Sequence, residues 1–135
     1  MKIATVKSRV PSRRLDNQDL LAHLEEQNPT VAAQEKSHYI KLVEKLLDKA
    51  GAEYRHWRNL HINEPASDII IGAIDDALTA TNLNAQEIDL VIYCGVGKGF
   101  LEPANAYFYA HAKGMNTANC FDITDACMSW IRALQ

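Results

Sequence analysis

The spacing of apolar residues along the chain predicts five helices. Apolar side chains between residues 30 and 50 recur every three or four positions, which places them on one face of a helix. Gly51 follows this stretch, and glycine commonly ends a helix in the left-handed conformation. Comparable spacing occurs in four other stretches; Asp16 or Asn17 can cap the first of them, and Pro103 opens another. The predicted helices cover residues 17–26, 30–50, 65–82, 103–114 and 127–135.

Three shorter stretches have the patterns of strands. Residues 2–7 alternate polar and apolar side chains, and residues 88–94 form an apolar run interrupted only by Asp89. Such a run is typical of a strand that is covered on both faces. Residues 120–123 form a third, short apolar strand. A helix followed by a strand, with no hairpin signal between them, favours parallel pairing. We therefore expect an α/β fold with a mostly parallel sheet of about three strands and flanking helices.

Composition narrows the class of protein. The length of 135 residues suits one domain. A net charge of -3 offers no basic surface for nucleic acid or for an anionic membrane, and no apolar run approaches the length of a membrane span. The apolar stretch within residues 1–6 is too short for a signal peptide, and polar residues interrupt it too early. The three cysteines are an odd number without a Cys-x-x-Cys pair, which indicates reduced thiols in a cytoplasmic protein.

Cys127 is the candidate nucleophile. It stands where the strand of residues 120–123 turns into a helix, and the partial positive charge of a helix N-terminus favours the thiolate. The carboxylate of Asp125 would oppose this effect if it lies close. The alternative is an inert core thiol, because free cysteine is among the most buried residue types. Since Cys94 and Cys120 fall in predicted strands, we expect Cys127 to be the most reactive of the three.

Two other motifs favour no further chemistry. The glycines between residues 95 and 99 lack the closing Lys-Ser/Thr of a phosphate-binding loop, so we expect them to form a turn with positive φ angles. His56 and His61 have no third ligand at a suitable spacing, so we expect no metal site.

The segment of residues 67–134 resembles beta-ketoacyl-ACP synthase III, a family of thiolase-like condensing enzymes. The resemblance follows a helix, the strand of residues 88–93, a loop to Pro103, a second helix and a strand that leads to Ala126 and Cys127. Its most specific part is the spacing from Pro103 to Cys127. Residues 15–20 and 51–58 extend it with weaker matches, so it covers nearly the whole chain. The resemblance implies that residues 1–135 form part of a thiolase-like domain, from its N-terminal half.

The resemblance also implies a two-step acyl transfer in fatty-acid or polyketide biosynthesis. Cys127 would take the acyl group from acyl-CoA or acyl-ACP, and a malonyl-ACP carbanion would then accept it. Acyl-CoA and malonyl-ACP are thus expected as substrates, acyl carrier protein as a partner, and no cofactor.

Three further residues are expected to contact substrate. Glu102 stands where the family often has a bulky apolar residue that shapes the acyl pocket across a dimer. Lys49 stands near the position of an Arg that helps to hold coenzyme A. Trp57, within the aromatic and basic residues 54–62, would wall the acyl-donor entrance; the alternative is that it only covers the edge of the core.

The sequence leaves different functions open. The first is an enzyme of the kind that the resemblance implies. The resemblance also implies a catalytic His and Asn, and none of the five histidines in this sequence matches that His. We expect residues 1–135 to cover the N-terminal part of the domain, truncated shortly after the nucleophile helix begins. We expect them to be inactive alone and to form a homo- or hetero-oligomer with the remainder of the fold. The second is a non-catalytic or split synthase subunit that binds a carrier protein or a partner synthase. The third is a stand-alone α/β binding domain.

Overall fold

The computed structural model describes residues 2–97, 99 and 101–135. The chain divides into two compact units: the Val10–Ala66 unit, and the Cys127 unit, which comprises Met1–Arg9 and Ser67–Gln135. Each unit is described separately. Both contain helices and a short sheet, so the α/β class expected from the sequence is confirmed.

The Val10–Ala66 unit is a two-stranded antiparallel sheet with two helices. Its elements are β1 (Arg13–Asp16), α1 (Asn17–Gln27), α2 (Ala33–Ala50) and β2 (Tyr54–Trp57). Asp16 caps α1 in a capping box with Asp19, in which each side chain accepts the backbone N–H of the other. Gly51 follows α2 with a φ of 65°, as its position predicts. Leu15 of β1 is the buried apolar residue of this unit.

Glu64 ties together two segments of the same unit. Its carboxylate accepts the backbone N–H of Asn59 at 2.9 Å and that of Ser12 at 3.0 and 3.1 Å. The hydrogen bond from Asn59, followed by the bonds from Ser12, lowers the pKa of Glu64 because they favour its charged form. An ionised Glu64 thereby fixes the residues just before β1 to those just after β2.

The Cys127 unit is built around a parallel strand pair. Its elements are α3 (Ala66–Thr81), β3 (Leu90–Cys94), α4 (Asn105–Ala112), β4 (Asn119–Ile123) and α5 (Ser129–Ala133). β3 pairs in parallel with β4, and α4 connects them, which agrees with the parallel pairing expected from the sequence. The apolar residues buried in this unit are Ala106, Ala110 and Met115.

Arg9 crosses α3 at a glycine. Its guanidinium forms two hydrogen bonds to the Asp76 carboxylate, at 2.7 and 2.8 Å. A Cβ atom on Gly72, one helical turn before Asp76, would lie 2.4 Å from the Arg9 Nη1 atom. Gly72 therefore gives Arg9 room to lie against the helix, and this ion pair attaches the N-terminal segment to α3.

Two strand predictions are corrected. Residues 2–7 form no strand, and Ile3 and Val6 are exposed, so their alternation marks no buried face. Instead of one sheet of about three strands, the described residues form two separate two-stranded sheets. β1 escaped prediction because Arg13, Arg14 and Asp16 lack a strand pattern.

β3 is also less covered than predicted, since Leu90 is exposed and the rest of the strand is half-buried. Of the helices in the described part of the chain, none is long and apolar enough to cross a membrane.

Candidate functional site

The candidate site lies at the carboxyl ends of β3 and β4. Cys94 and Ile123 are paired at these ends, and the next backbone N–H, that of Gly95, donates to the Ile123 carbonyl at 3.4 Å. Because the strands are parallel, the segment after β3 and the segment after β4 leave the sheet at the same edge. Open α/β sheets bind their ligands at this edge.

Cys127 lies on a tight turn after β4. A 3-10 turn, Ala126–Met128, precedes α5, and Cys127 is exposed. Ala126 has a φ of 42°, a left-handed conformation that is unfavourable for a residue with a Cβ atom. Such outliers persist only where surrounding contacts enforce them, and they cluster at functional sites.

Ser129 supplies those contacts. Its buried hydroxyl donates to the Ala126 carbonyl at 2.8 Å and accepts the Asp125 N–H at 2.8 Å. The hydroxyl thus joins both sides of the turn and holds Cys127 at its tip. The Asp125 carboxylate forms an ion pair with Arg132, which partly balances its negative charge.

The helix that follows Cys127 is short. α5 has only five residues, so its dipole is weaker than that of the predicted helix of residues 127–135. The stronger evidence that Cys127 is reactive is therefore its exposure and the strained backbone before it.

The other two thiols are less suited to nucleophilic attack. Cys94 and Cys120 are half-buried on β3 and β4. Burial raises the pKa of both thiols, and the negative charge of Asp122 raises the pKa of Cys94 further. Since the thiolate is the nucleophile, the two strand thiols are disfavoured near neutral pH.

Asp122, which the sequence did not single out for a role, caps α4 from the neighbouring strand. Its carboxylate accepts the backbone N–H groups of Asn105 at 2.8 Å and of Ala106 at 3.0 Å. The N-cap residue itself, Ala104, has no side chain able to do so. Sequence patterns identify capping residues that are adjacent to a helix in the chain. They could not identify Asp122, which reaches α4 from a later strand.

Glu102 is exposed in the connection between β3 and α4. Its predicted substrate contact stays a prediction. Gly95 and Gly97 do not have the positive φ angles expected from the sequence. Gly99 allows close approach, since a Cβ atom there would lie 3.3 Å from the Asn105 side-chain oxygen. Lys98, within the glycine-rich motif, lies outside the described residues, as does Phe100.

Lys49 and Trp57 belong to the other unit. Lys49 is exposed in the last turn of α2. The half-buried Trp57 packs edge-on against His23 of α1, with ring centroids 5.0 Å apart. This contact favours the packing alternative for Trp57, and substrate binding by either residue stays a prediction.

His56 donates its Nδ1 hydrogen to the Pro11 carbonyl at 2.7 Å, because a carbonyl can only accept. Among the described residues, no three metal-binding side chains form a group that could hold an ion.

Comparisons with known proteins agree with this fold. The chain is 33% identical over 87 residues to beta-ketoacyl-ACP synthase III of Clostridium perfringens, a match that covers 64% of this chain and 26% of the relative. The crystal structure of 3-oxoacyl-ACP synthase III from Aquifex aeolicus superposes with a TM-score of 0.71 at 23% identity, covering 98% of this chain and 37% of that one.

OleA of Xanthomonas campestris gives a TM-score of 0.73 at 21% identity, covering 98% of this chain and 36% of that one. Solved forms of OleA include variants at a glutamate, a cysteine and a histidine, and the cysteine variant was solved with lauric acid and lauroyl-CoA. No protein-family model matches the sequence.

The extent of the matches limits what they establish. The match spans about a quarter of the length of the curated relative, and the likeness to solved structures establishes the fold alone. The chain is thus related in sequence to beta-ketoacyl-ACP synthase III and has the thiolase-like fold of its structural neighbours.

Proposed function

We propose that the chain supplies the nucleophile-bearing part of an acyltransferase or condensing enzyme similar to beta-ketoacyl-ACP synthase III. One observation carries the proposal: Cys127 is exposed on a strained turn at the carboxyl edge of the parallel β3–β4 pair. The relatives are named as acyl-condensing synthases, which supports an enzyme of that kind.

In the proposed first step, the Cys127 thiolate attacks the carbonyl carbon of an acyl thioester. A bond forms between the Cys127 sulfur and the acyl carbon, the bond to the coenzyme A or carrier sulfur breaks, and that sulfur leaves as a thiolate that takes a proton from water. The Cys127 backbone N–H is a candidate donor to the tetrahedral oxyanion. In the second step, the carbanion left when malonyl-ACP loses carbon dioxide would attack the acyl carbon and release Cys127.

We further propose that the second step needs groups beyond those in residues 1–135. The resemblance assigns this support to His and Asn residues that none of His23, His38, His56, His61 and His111 matches. Removing the base from a nucleophile–base unit typically costs about three orders of magnitude or more in rate. The isolated chain is therefore expected to acylate slowly and not to condense.

Glu102 offers a choice between two roles. A bulky apolar residue at this position would only shape an acyl pocket, whereas a carboxylate can also accept a proton. OleA has been studied with a replaced glutamate that precedes the replaced cysteine by nearly the same separation as Glu102 precedes Cys127. We propose that Glu102 contacts the acyl group and, where the second substrate is an acyl thioester rather than malonyl-ACP, removes the proton from its α-carbon.

A non-catalytic subunit is the second candidate function. It is favoured by the exposed apolar side chains of Met128, Trp130 and Ile131, which immediately follow Cys127. A carrier protein or partner synthase that covered them would place the Cys127 turn in an interface.

Intact-mass measurement after incubation with acyl-CoA tests the proposal. The parent chain should gain one acyl group, which peptide mapping should place on Cys127, and the increment should be absent from Cys127→Ala but present in Cys94→Ala. An acyl increment on Cys94 or Cys120, or none at any chain length from acetyl to lauroyl, would count against the enzyme. Detectable ketoacyl product from the parent chain, absent from Cys127→Ala, would contradict the proposed need for further groups.

A further inference from the structure

Three hydrogen-bond donors converge on the carboxylate of Asp122. Two are the backbone N–H groups of Asn105 and Ala106, and the third is the Asn105 side-chain amide, whose nitrogen lies 3.0 Å from the carboxylate. Asn105 is only 6% exposed and Ala106 is fully buried, so water cannot readily replace Asp122 as their acceptor.

The other end of the Asn105 amide reaches the connection between β3 and α4. Its side-chain oxygen accepts the backbone N–H of Gly99 at 3.3 Å. The donor and acceptor of this one amide therefore link Asp122 to Gly99. Glu102 lies in the same connection, three residues after Gly99.

We propose that Asp122 and Asn105 are positioning residues, which hold the β3–α4 connection and its Glu102 at the edge of the sheet from which Cys127 emerges. Asp122 lies on β4, five residues before Cys127, so a single strand carries both the nucleophile turn and the anchor of the connection. The catalytic consequence rests on the proposed function, whereas the anchoring rests on the hydrogen bonds alone.

The donors around Asp122 require a side chain that accepts hydrogen bonds at this position. The three groups named above all donate to Asp122, so Asp122→Asn keeps the shape but turns an NH2 group toward a donor. Asn105→Asp is also isosteric, yet it places two carboxylates against each other. The double variant Asp122→Asn/Asn105→Asp restores a bond between the two side chains and leaves an acceptor for the Gly99 N–H, but one backbone N–H of α4 still faces an NH2 group. Asn105→Ala removes the link but keeps both backbone bonds that cap α4.

Amide hydrogen exchange of Gly99, whose N–H donates to Asn105, measures the anchoring. Each isosteric single variant should speed exchange there by about ten- to a hundredfold, the loss expected for a hydrogen bond to a charged group, while amides of α3 keep their rates. The double variant should recover part of the protection that Asn105→Asp loses, because the two carboxylates no longer oppose each other. Asn105→Ala should loosen the connection without loss of α4 protection, which keeps the test decisive if the charge variants fail to fold. Unchanged exchange in the connection, or no recovery in the double variant, would overturn the proposal.

The rate of Cys127 acylation by acyl-CoA, compared with its alkylation by iodoacetamide, measures the catalytic consequence. Asn105→Ala should slow acylation about tenfold or more, because misplacement of a group that contacts substrate is costly, and should change alkylation by no more than about twofold. A parallel change in both rates would show a general effect on the thiol and contradict positioning. If the parent chain is not acylated at all, the proposed function fails, and exchange still decides whether the connection is anchored.

Discussion

At the scale of single residues, the three cysteines differ in their surroundings and therefore in expected chemistry. Cys94 and Cys120 share strands with apolar neighbours, whereas Cys127 is displayed on a turn that Ser129 holds in a strained conformation. The same residue type is thus disfavoured as a nucleophile at two positions and available at the third.

Alkylation with a limiting amount of iodoacetamide at neutral pH should modify Cys127 first. Because burial raises the pKa of the Cys94 and Cys120 thiols, their share of the label should grow as the pH is raised. Peptide mapping by mass spectrometry over a pH series measures both effects. The Cys127→Ala variant should lack the fast phase; early label on either strand cysteine in the native parent chain would show that the order is wrong.

The candidate nucleophile could be found from the sequence, but its supports could not. The strand, the alanine and the cysteine are consecutive in the chain, so their pattern is local. The left-handed Ala126 is not what its residue type favours, and Asp122 acts on a helix that begins 17 residues earlier in the chain. Both features depend on contacts made only after folding.

At the scale of elements, most helices could be predicted from local sequence signals, whereas the strands were predicted less well. The apolar periodicity and Gly51 predicted α2 almost to its ends, since both signals lie within the helix. The alternation of residues 2–7 predicted a strand that is absent, because a strand also needs a partner that the local sequence does not contain. β1 shows the converse case: a mostly polar segment pairs with β2, and its one apolar residue, Leu15, is buried.

Replacing Glu64 should weaken the Val10–Ala66 unit in a pH-dependent way. Because the native-state pKa of Glu64 is lowered from its ordinary value of 4.5, its contribution to stability is present above that value and is lost as the pH falls through the lower native-state pKa. Glu64→Gln should therefore be less stable than the parent chain at neutral pH, and the difference should shrink in acid.

Urea unfolding followed by Trp57 fluorescence measures this difference. Both chains should carry Trp130→Phe, so that the only other tryptophan does not contribute. Glu44→Gln, on the exposed face of α2, is a matched control that should not change the pH profile. A stability gap between the parent and Glu64→Gln that stays constant from neutral pH to below pH 4 would contradict the role assigned to this carboxylate.

Gly72→Ala should reveal the contact between Arg9 and α3. Alanine favours a helix over glycine by about 1 kcal/mol, but here its Cβ must displace the Arg9 guanidinium from Asp76. The stabilisation should therefore appear in full only in an Arg9→Ala background. A double-mutant cycle by urea unfolding measures the coupling, and equal effects of Gly72→Ala in the two backgrounds would show that Arg9 does not lie against the helix.

At the scale of the whole molecule, apolar side chains remain on the surface of each unit. Trp130 is 57% exposed beside Met128 and Ile131, and Leu42 and Leu46 are exposed on α2. Contiguous exposed apolar surface is typical of an interface with another protein. Leu134, the next apolar residue of this segment with a large side chain, is half-buried.

We expect the chain to self-associate in a concentration-dependent manner through the residues that follow Cys127. Light scattering coupled to size-exclusion chromatography should show a mean mass that rises with loading concentration. Ile131→Lys should lower that mass, because it places a charge in the apolar surface, whereas Leu42→Lys on α2 is a matched control expected to do so less. A parent chain that stays at 15.1 kDa at every concentration would rule out this association.

The small apolar core described for each unit has a thermal consequence. Leu15 in one unit and Ala106, Ala110 and Met115 in the other are the apolar residues buried within the described part of the chain. The heat capacity of unfolding grows with the apolar surface newly exposed to water, and much of that surface is already hydrated here. Scanning calorimetry should therefore give a heat-capacity increment below the usual value of about 12–15 cal/mol/K per residue. The stability curve should be correspondingly flat, so that moderate cooling or warming changes the folded fraction little while a bound partner changes it greatly.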